Sequence, residues 1–407
     1  MLHNARKRLP NAELCCFCSN PDDTRARHGV EAFPLRAPKR LSLEWLTTFR
    51  FASRLDVLVM TGTGMITDVG ERPLGLPYDL FRWAVAARAY GVKLVFASVG
   101  VEPIRHPAAK RLIGSALRLA DIRSFRDRQS QELLKNAGFS CDRDAIYPDL
   151  AFSLPDSMTS RPATGSRPRR KVAVGVYDYR CRGAAGGADA VSYASYIEKL
   201  GKFVVWLFEH DYDVRIVIGD LTYDEPVVRD LRAWLTPGPI SGHGHQFEDQ
   251  PARCVDEVVD QIADADVVVA SRFHNVLFAL LAGRPVLSIA YNAKNDALMA
   301  DVGLANYCQS IDTFDVEGLV ERFCALERNA HLLLPSIAAK VAFYRREVDR
   351  QYDGLFGVIE THPSSSALQQ AVKMTSHLPS ALDPSPSPRR TWFRPQPRVS
   401  RRPSAGA

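Results

Sequence analysis

The sequence predicts an α/β protein built of two successive doubly wound units, each a parallel sheet wrapped by helices. Strand-like and helix-like segments alternate along the chain, stop, and alternate again, which is the pattern of parallel sheets covered on both faces. The stop is SMTSRPATGSRPRR at 157–170, polar, Pro-containing and basic, which is linker composition. With 407 residues, 46% of them hydrophobic and 24% charged, the chain is long enough for two cores and has an ordinary globular balance.

The elements follow in order. In the first unit, AELCCFCS (12–19) and LDVLVMTG (55–62) read as strands rich in β-formers. PYDLFRWAVAARAYG (77–91) has helical periodicity closed by a glycine, and KLVFASVG (93–100) is a strand. HPAAKRLIGSALRLA (106–120) is a helix, and DIRSFRD (121–127) is a short strand running into the helix RQSQELLKNAG. YPDLAFSLP (147–155) leads to the linker. In the second unit KVAVGVYDY (171–179), DVRIVIGD (213–220), DVVVA (266–270) and PVLSIAY (285–291) are strands. The helices between them are YASYIEKLGKFVVWLFEHD (193–211), DEPVVRDLRAWL (224–235), DEVVDQIADA (256–265) and NDALMADVGL (295–304), and helices over 315–356 close the fold. The expected boundaries are 1–156, a linker at 157–170, 171–358, and a tail at 359–407.

Composition narrows the function classes. No run approaches 18 apolar residues, so no membrane span is expected, and MLHNARKRLPNAEL lacks a secretory h-region, so a cytoplasmic location is the default. The net charge of +6 is carried by the end of the chain, where PSPSPRRTWFRPQPRVSRRPSAGA (384–407) holds six arginines and no acid. Without it the chain is close to neutral, and no nucleic-acid partner is expected. Pro, Ser and Arg bury too little apolar surface to offset chain entropy, so the tail is expected to be disordered. It is either a transient contact for anionic lipid, peripheral to the inner membrane, or a solvated tail without a role. Three of the eight cysteines, Cys15, Cys16 and Cys18, crowd one extended segment, which does not make a tetrahedral metal site; buried, reduced thiols are expected. His243 and His245 lie among glycines with no third ligand, and no metal or cofactor is expected.

The chemistry-bearing residues fall at strand ends. DVVVA breaks into Ser271-Arg272-Phe273-His274-Asn275 just where a helix begins. Backbone N–H groups and the helix dipole favour an anion there. Arg272 adds a planar fork for phosphate or carboxylate, and His274 a group that exchanges protons near neutral pH. In the first unit a strand breaks into Gly62-Thr63-Gly64 with Asp68 downstream, which allows either close approach of a ligand or a tight turn. Asp68 then either takes a proton from an acceptor hydroxyl or caps a helix. Arg126 stands at another strand-to-helix junction beside Asp127, a plausible N-cap, and Lys294 follows the strand PVLSIAY.

These segments resemble the polysaccharide pyruvyl transferase family over roughly residues 10–355. SRFHNVLFALLAGRPVLSIAYNAKNDALMADVGL (271–304) resembles its Ser-Arg-Leu-His-Gly helix and the strand ending in Tyr and Lys. DVLVMTGTGMITD resembles its glycine-rich strand end with a downstream Asp, and IRSFRDRQSQELLKNAG its Arg-Asp-x-x-Ser element. Phe273 and Asn275 stand where the family has Leu and Gly, and by the same resemblance the chain is expected to start past the family's first strand, with an incomplete first domain. The resemblance implies two Rossmann-like domains arranged as in the GT-B glycosyltransferases. It implies transfer of the enolpyruvyl-derived unit of phosphoenolpyruvate onto sugar hydroxyls, forming a pyruvate ketal on a surface or exported polysaccharide, with no cofactor beyond that co-substrate. The acceptor is a sugar or a lipid-linked saccharide. Arg272 and His274 fall in the donor and catalytic motif, with Asp68 and Arg126 across the cleft; Lys294, Gly62, Gly64 and Ser271 complete the expected site. Two other readings stay open. One is a nucleotide-sugar glycosyltransferase of the same architecture, for which Tyr291 offers a uracil-stacking ring but no ribose-binding acid is evident. The other is a sugar-binding paralogue without turnover.

Overall fold

Two parallel sheets, one per half of the chain, organise the molecule. The computed structural model describes residues 1–35, 41–61, 64–68, 75–159, 168–181, 190–236 and 246–360. Gly62, His243, His245 and the basic tail lie outside them.

The first half runs α1 (Leu2–Arg8), β1 (Cys15–Cys18), α2 (Pro21–His28), β2 (Glu31–Pro34), α3 (Leu41–Ala52), β3 (Val57–Thr61), α4 (Leu76–Ala89) and β4 (Lys93–Val99). It continues with α5 (Pro107–Leu119), β5 (Ile122–Phe125), α6 (Arg128–Asn136), β6 (Ala145–Ile146) and α7 (Asp156–Thr159). Strands β3-β4-β5-β6 form one parallel sheet, and β1 pairs with β2 in a separate parallel pair. Phe17 fastens that pair to the half, packing on Trp83 and Phe51 with ring centroids 4.4 and 5.2 Å away. Among the described thiols the expected burial holds for Cys141, whereas Cys254, Cys308 and Cys324 are half-buried, as are Cys15, Cys16 and Cys18 on β1, which stands apart from the main sheet.

Local chemistry explains the helix starts. Pro107 opens α5, whose first free N–H, on Ala108, bonds the His106 ring at 3.1 Å. Ala109, Ile113, Ala116 and Leu117, at helical spacing, form its buried face. Asp127 caps α6 through Ser130 N–H at 2.6 Å, and Ser130 Oγ accepts from Val101 N–H, tying the ends of β4 and β5 together.

The second half runs β7 (Arg170–Gly175), α8 (Ala190–Glu209), β8 (Tyr212–Val217), α9 (Leu221–Leu235), β9 (Phe247–Glu248), α10 (Val255–Ala263) and β10 (Val267–Ala270). Then come α11 (Phe273–Leu281), β11 (Val286–Ala290), α12 (Ala293–Asp301), β12 (Cys308–Ser310) and α13 (Val316–Glu360). The spatial order is β12-β11-β10-β7-β8-β9, all parallel. Counted within this half it is 3-2-1-4-5-6, the doubly wound order whose switch point lies between the first and fourth strands, here β7 and β10. β10 is buried along its whole length, so each valine contributes roughly 1.5–3 kcal/mol of transfer free energy.

The closing segment is a single 45-residue helix that Pro335 does not end. It returns to the first half. Gln351 Oε1 accepts from Ser98 Oγ and Gln351 Nε2 donates to Ser124 Oγ, both at 2.8 Å and all buried. Ser98 holds a left-handed backbone (φ 45°) where the β4–β5 register slips, and its N–H bonds Ser124 Oγ. Among the described residues, no helix is long and apolar enough to cross a membrane.

Candidate active site

The switch point puts Ser271 to His274 at the carboxyl end of β10, beside Gly175 at the end of β7. Ser271 has no exposed surface; its N–H bonds Gly175 O and its carbonyl accepts from Asn295 Nδ2 at 2.7 Å, so it fixes the strand end from below. A Cβ on Gly175 would stand 3.1 Å from Asn275 Nδ2, so the small residue at 175 makes the room that Asn275 occupies.

Arg272 occupies the N-cap position of α11. Its fork grips Asp224, with Nε 2.9 Å from Oδ2 and Nη2 2.5 Å from Oδ1. Asp224 is 0% exposed and also accepts from the backbone N–H of Asp178, Gly219 and Asp220. Burial pulls the Arg272 pKa down, and the Asp224 hydrogen bonds and charge more than restore it, so the net shift is upward. The guanidinium lies 4.5 Å over the Tyr177 ring, which stacks on Tyr291 at 4.0 Å. Gly219 lets the side chain pass, since a Cβ there would meet Arg272 Cγ at 2.7 Å.

His274, two residues further along at the start of α11, stands against the first half. Nε2 is 3.8 Å from Asp149 Oδ2, and the side chain remains 41% exposed. Asp149 is buried, caps the turn Leu150–Ser153 through Ala151 N–H, and accepts from Arg126 Nη1 at 3.1 Å. Arg126, with a side chain only 6% exposed, lies 5.1 Å over the Phe273 ring. The two halves therefore meet through Arg126, Asp149, Phe273 and His274. Burial lowers the His274 pKa below its ordinary 6.5; Asp149 acts upward, and Arg126, Arg272 and Lys294 act downward. The imidazole is neutral at neutral pH, in a site that already carries three cations.

Lys294 lies at the start of α12, where Asn292 caps its N–H at 3.0 Å. Its side chain is 8% exposed, and Nζ is 3.4 Å from Glu102 Oε1, a second link between the halves. Burial and then the charge of Arg126 lower its pKa, with Glu102 opposing. Glu102 also faces Thr67 Oγ1, and a Cβ on Gly64 would come within 3.8 Å of its Oε1.

The structure thus gathers Arg272, His274, Arg126 and Lys294 at one mouth. It places Asp68 differently. Asp68 Oδ2 accepts the backbone N–H of Arg105 (2.9 Å) and His106 (2.6 Å), so it holds the entry to α5. Asp149, Asp224 and Glu102, each the carboxylate partner of one site cation, were not singled out by the sequence. Pro148-Asp149 ahead of an apolar turn is a legible cap signal; Asp224 and Glu102 carry none.

Cations and a histidine stand at the switch point of a doubly wound sheet, closed by a second sheet, in an α/β fold of GT-B architecture. The solved structures agree. HepE of Anabaena, in complex with UDP and glucose, matches with TM-score 0.61 and 13% identity over 89% of this chain and 95% of that one. A glycosyltransferase of Rickettsia africae matches at 0.58 and 10%, covering 89% and 94%. The UDP-GlcNAc 2-epimerase of Neisseria meningitidis bound to UDP-GlcNAc matches at 0.53 and 12%, covering 88% and 95%. No curated protein matches. The model of the polysaccharide pyruvyl transferase family matches residues 1–293, and the chain belongs to that family.

Proposed function

We propose that the protein transfers the pyruvyl unit of phosphoenolpyruvate to two hydroxyls of a sugar, forming a ketal and releasing phosphate. The observation that carries this reading is the set of three buried or half-buried cations from both halves around His274. Phosphoenolpyruvate carries its phosphate and its carboxylate on the same carbon, and Arg272 and Lys294 at the N-termini of α11 and α12, with Arg126 just before α6, suit two anionic groups. His274 is assigned proton delivery to the methylene carbon. It is neutral in the empty site, and the charge of a bound donor offsets the surrounding cations and lets it take up a proton. The acceptor is a sugar or lipid-linked saccharide, and the setting is exopolysaccharide or surface-polysaccharide assembly in the cytoplasm, at the membrane face if the basic tail engages anionic lipid.

A nucleotide-sugar reading has Tyr177 and Tyr291 as its ring candidates. Those rings stack on each other and Tyr177 also carries the Arg272 guanidinium, which leaves little room for a base between them. Thermal shift separates the two readings. A ligand at a hundred times its dissociation constant stabilises the native state by about 2.7 kcal/mol. The expected result is a raised Tm with phosphoenolpyruvate, lost in Lys294→Met, and none with UDP-sugars; a shift with a UDP-sugar alone sinks the proposal.

A further inference from the structure

We infer that Glu102 is the acceptor-side catalytic carboxylate, the group that takes the proton from the attacking sugar hydroxyl; this rests on the pyruvyl transfer reading. Four observations lead to it. Asp68, the sequence's candidate, spends its Oδ2 on two short backbone hydrogen bonds at α5 and serves the loop. Glu102 instead leaves its carboxylate in the mouth between the halves, 39% exposed. Its two contacts are both long, Lys294 Nζ to Oε1 and Thr67 Oγ1 to Oε2 at 3.4 Å each, so neither is a strong tether. Lastly, it follows the end of β4 in the first half, whereas His274 belongs to the second, and its partner Lys294 acts on His274 as Arg126 does. A donor seated between the halves has His274 on one side and Glu102 on the other.

The empty site pairs Lys294 with Glu102. An anionic donor competes for that ammonium and releases the carboxylate toward the acceptor. The acceptor oxygen then bonds to C2 of the enolpyruvyl unit as its O–H bond breaks, and that proton passes to Glu102. The C2–C3 π pair takes a proton from imidazolium His274, making the methyl group. The C2–O bond to the phosphate breaks, its electron pair leaving with phosphate, which also carries off the proton held by Glu102. The second hydroxyl closes the ketal and returns its proton to His274. Of the two hydroxyl protons, one is thus accounted for on the methyl carbon and one on the departing phosphate.

The test compares the full-length wild type with Glu102→Gln and Asp68→Asn. Phosphoenolpyruvate affinity is measured by calorimetry. Phosphate release is followed with a panel of p-nitrophenyl β-glycosides (galactoside, glucoside, N-acetylmannosaminide) from pH 5 to 9. Glu102→Gln is expected to bind phosphoenolpyruvate at least as tightly as wild type, because Lys294 is freed. It is expected to release phosphate roughly 10²–10⁴-fold more slowly. Asp68→Asn is expected to lose less turnover than Glu102→Gln and to show a lower Tm. Wild-type turnover with Glu102→Gln within threefold of it overturns the assignment alone. So does a Glu102→Gln protein whose phosphoenolpyruvate affinity falls in step with its rate. A wild type that neither binds phosphoenolpyruvate nor releases phosphate overturns both the assignment and the reading beneath it.

Discussion

Replacing Arg272 with methionine keeps most of the side-chain volume and removes the cation that sits on Asp224. The carboxylate is fully buried, and the substitution leaves it with three backbone N–H donors, from Asp178, Gly219 and Asp220. Removing one partner of a buried ion pair costs about 3–5 kcal/mol. The surviving donors hold the cost to the lower end, and loss of the guanidinium over Tyr177 adds about 0.5–1 kcal/mol. The sum is about 3–4 kcal/mol. With an unfolding entropy of roughly 2.1 cal/mol/K per residue, roughly 300 folded residues respond by about 1.6 °C per kcal/mol, so Tm should fall by about 5–6 °C. Differential scanning calorimetry at pH 7.5 reads this directly, and the double variant Arg272→Met/Asp224→Asn should recover a good part of it, since no charge is then stranded. A single variant that loses less than about 1 °C, or a double variant as unstable as the sum of the singles, refutes the account of Asp224 as the anchor of Arg272.

Three further outcomes follow from distances and directions given above. Gly100→Ala sets a Cβ 2.6 Å from Arg126 Cζ and Nε, so the guanidinium must leave Asp149; anion affinity should drop at least tenfold by calorimetry, with about 1–3 kcal/mol of stability lost to overpacking. Because the His274 pKa is lower folded than unfolded, the unfolded chain binds more protons between the two values. The stability it contributes is present above pH 6.5 and lost as pH falls through the folded pKa, so His274→Asn should flatten the acid side of the denaturation profile. The same ring should titrate below 6.5 by NMR in the free protein and move upward when phosphoenolpyruvate is added. Gln351→Ala strands the buried hydroxyl of Ser98, while Ser124 Oγ keeps Ser98 N–H and Phe96 O, and should lower stability by about 2–4 kcal/mol in urea unfolding while leaving the Arg272–Asp224 pair intact.

Where burial and polarity change abruptly, the sequence was readable. DVVVA ending in Ser-Arg-Phe-His marks both a fully buried strand and its exit into a helix, and the structure has β10 and α11 there. Asp127 is legible for the same reason, since an Asx before a helix has a local partner three residues on. The first three helices were not seen. α1 and α2 lack an apolar stripe, and α2 is held by its ends, with Asn20 and Pro21 at the start and Gly29 at φ 55° at the finish. The carboxylates of the site were hidden for a different reason. Asp224 is 48 positions from Arg272, and Glu102 is 192 from Lys294. Such pairs are set by how sheets stack, and no periodicity encodes them. Asp68 shows the converse: a carboxylate in the right stretch whose two nearest donors turned out to be backbone.

The return of α13 to the first half has a consequence for how the protein is made. Domains generally fold as the chain emerges, the first before the last. Here the slipped junction of β4 and β5 is closed by Gln351, and Ser153 meets Tyr352. The first half is therefore still missing a piece of its own interior until nearly the whole folded region has left the ribosome. Both halves then become complete together, and a nascent chain stopped anywhere before that helix leaves the buried serines at the end of its first sheet uncovered.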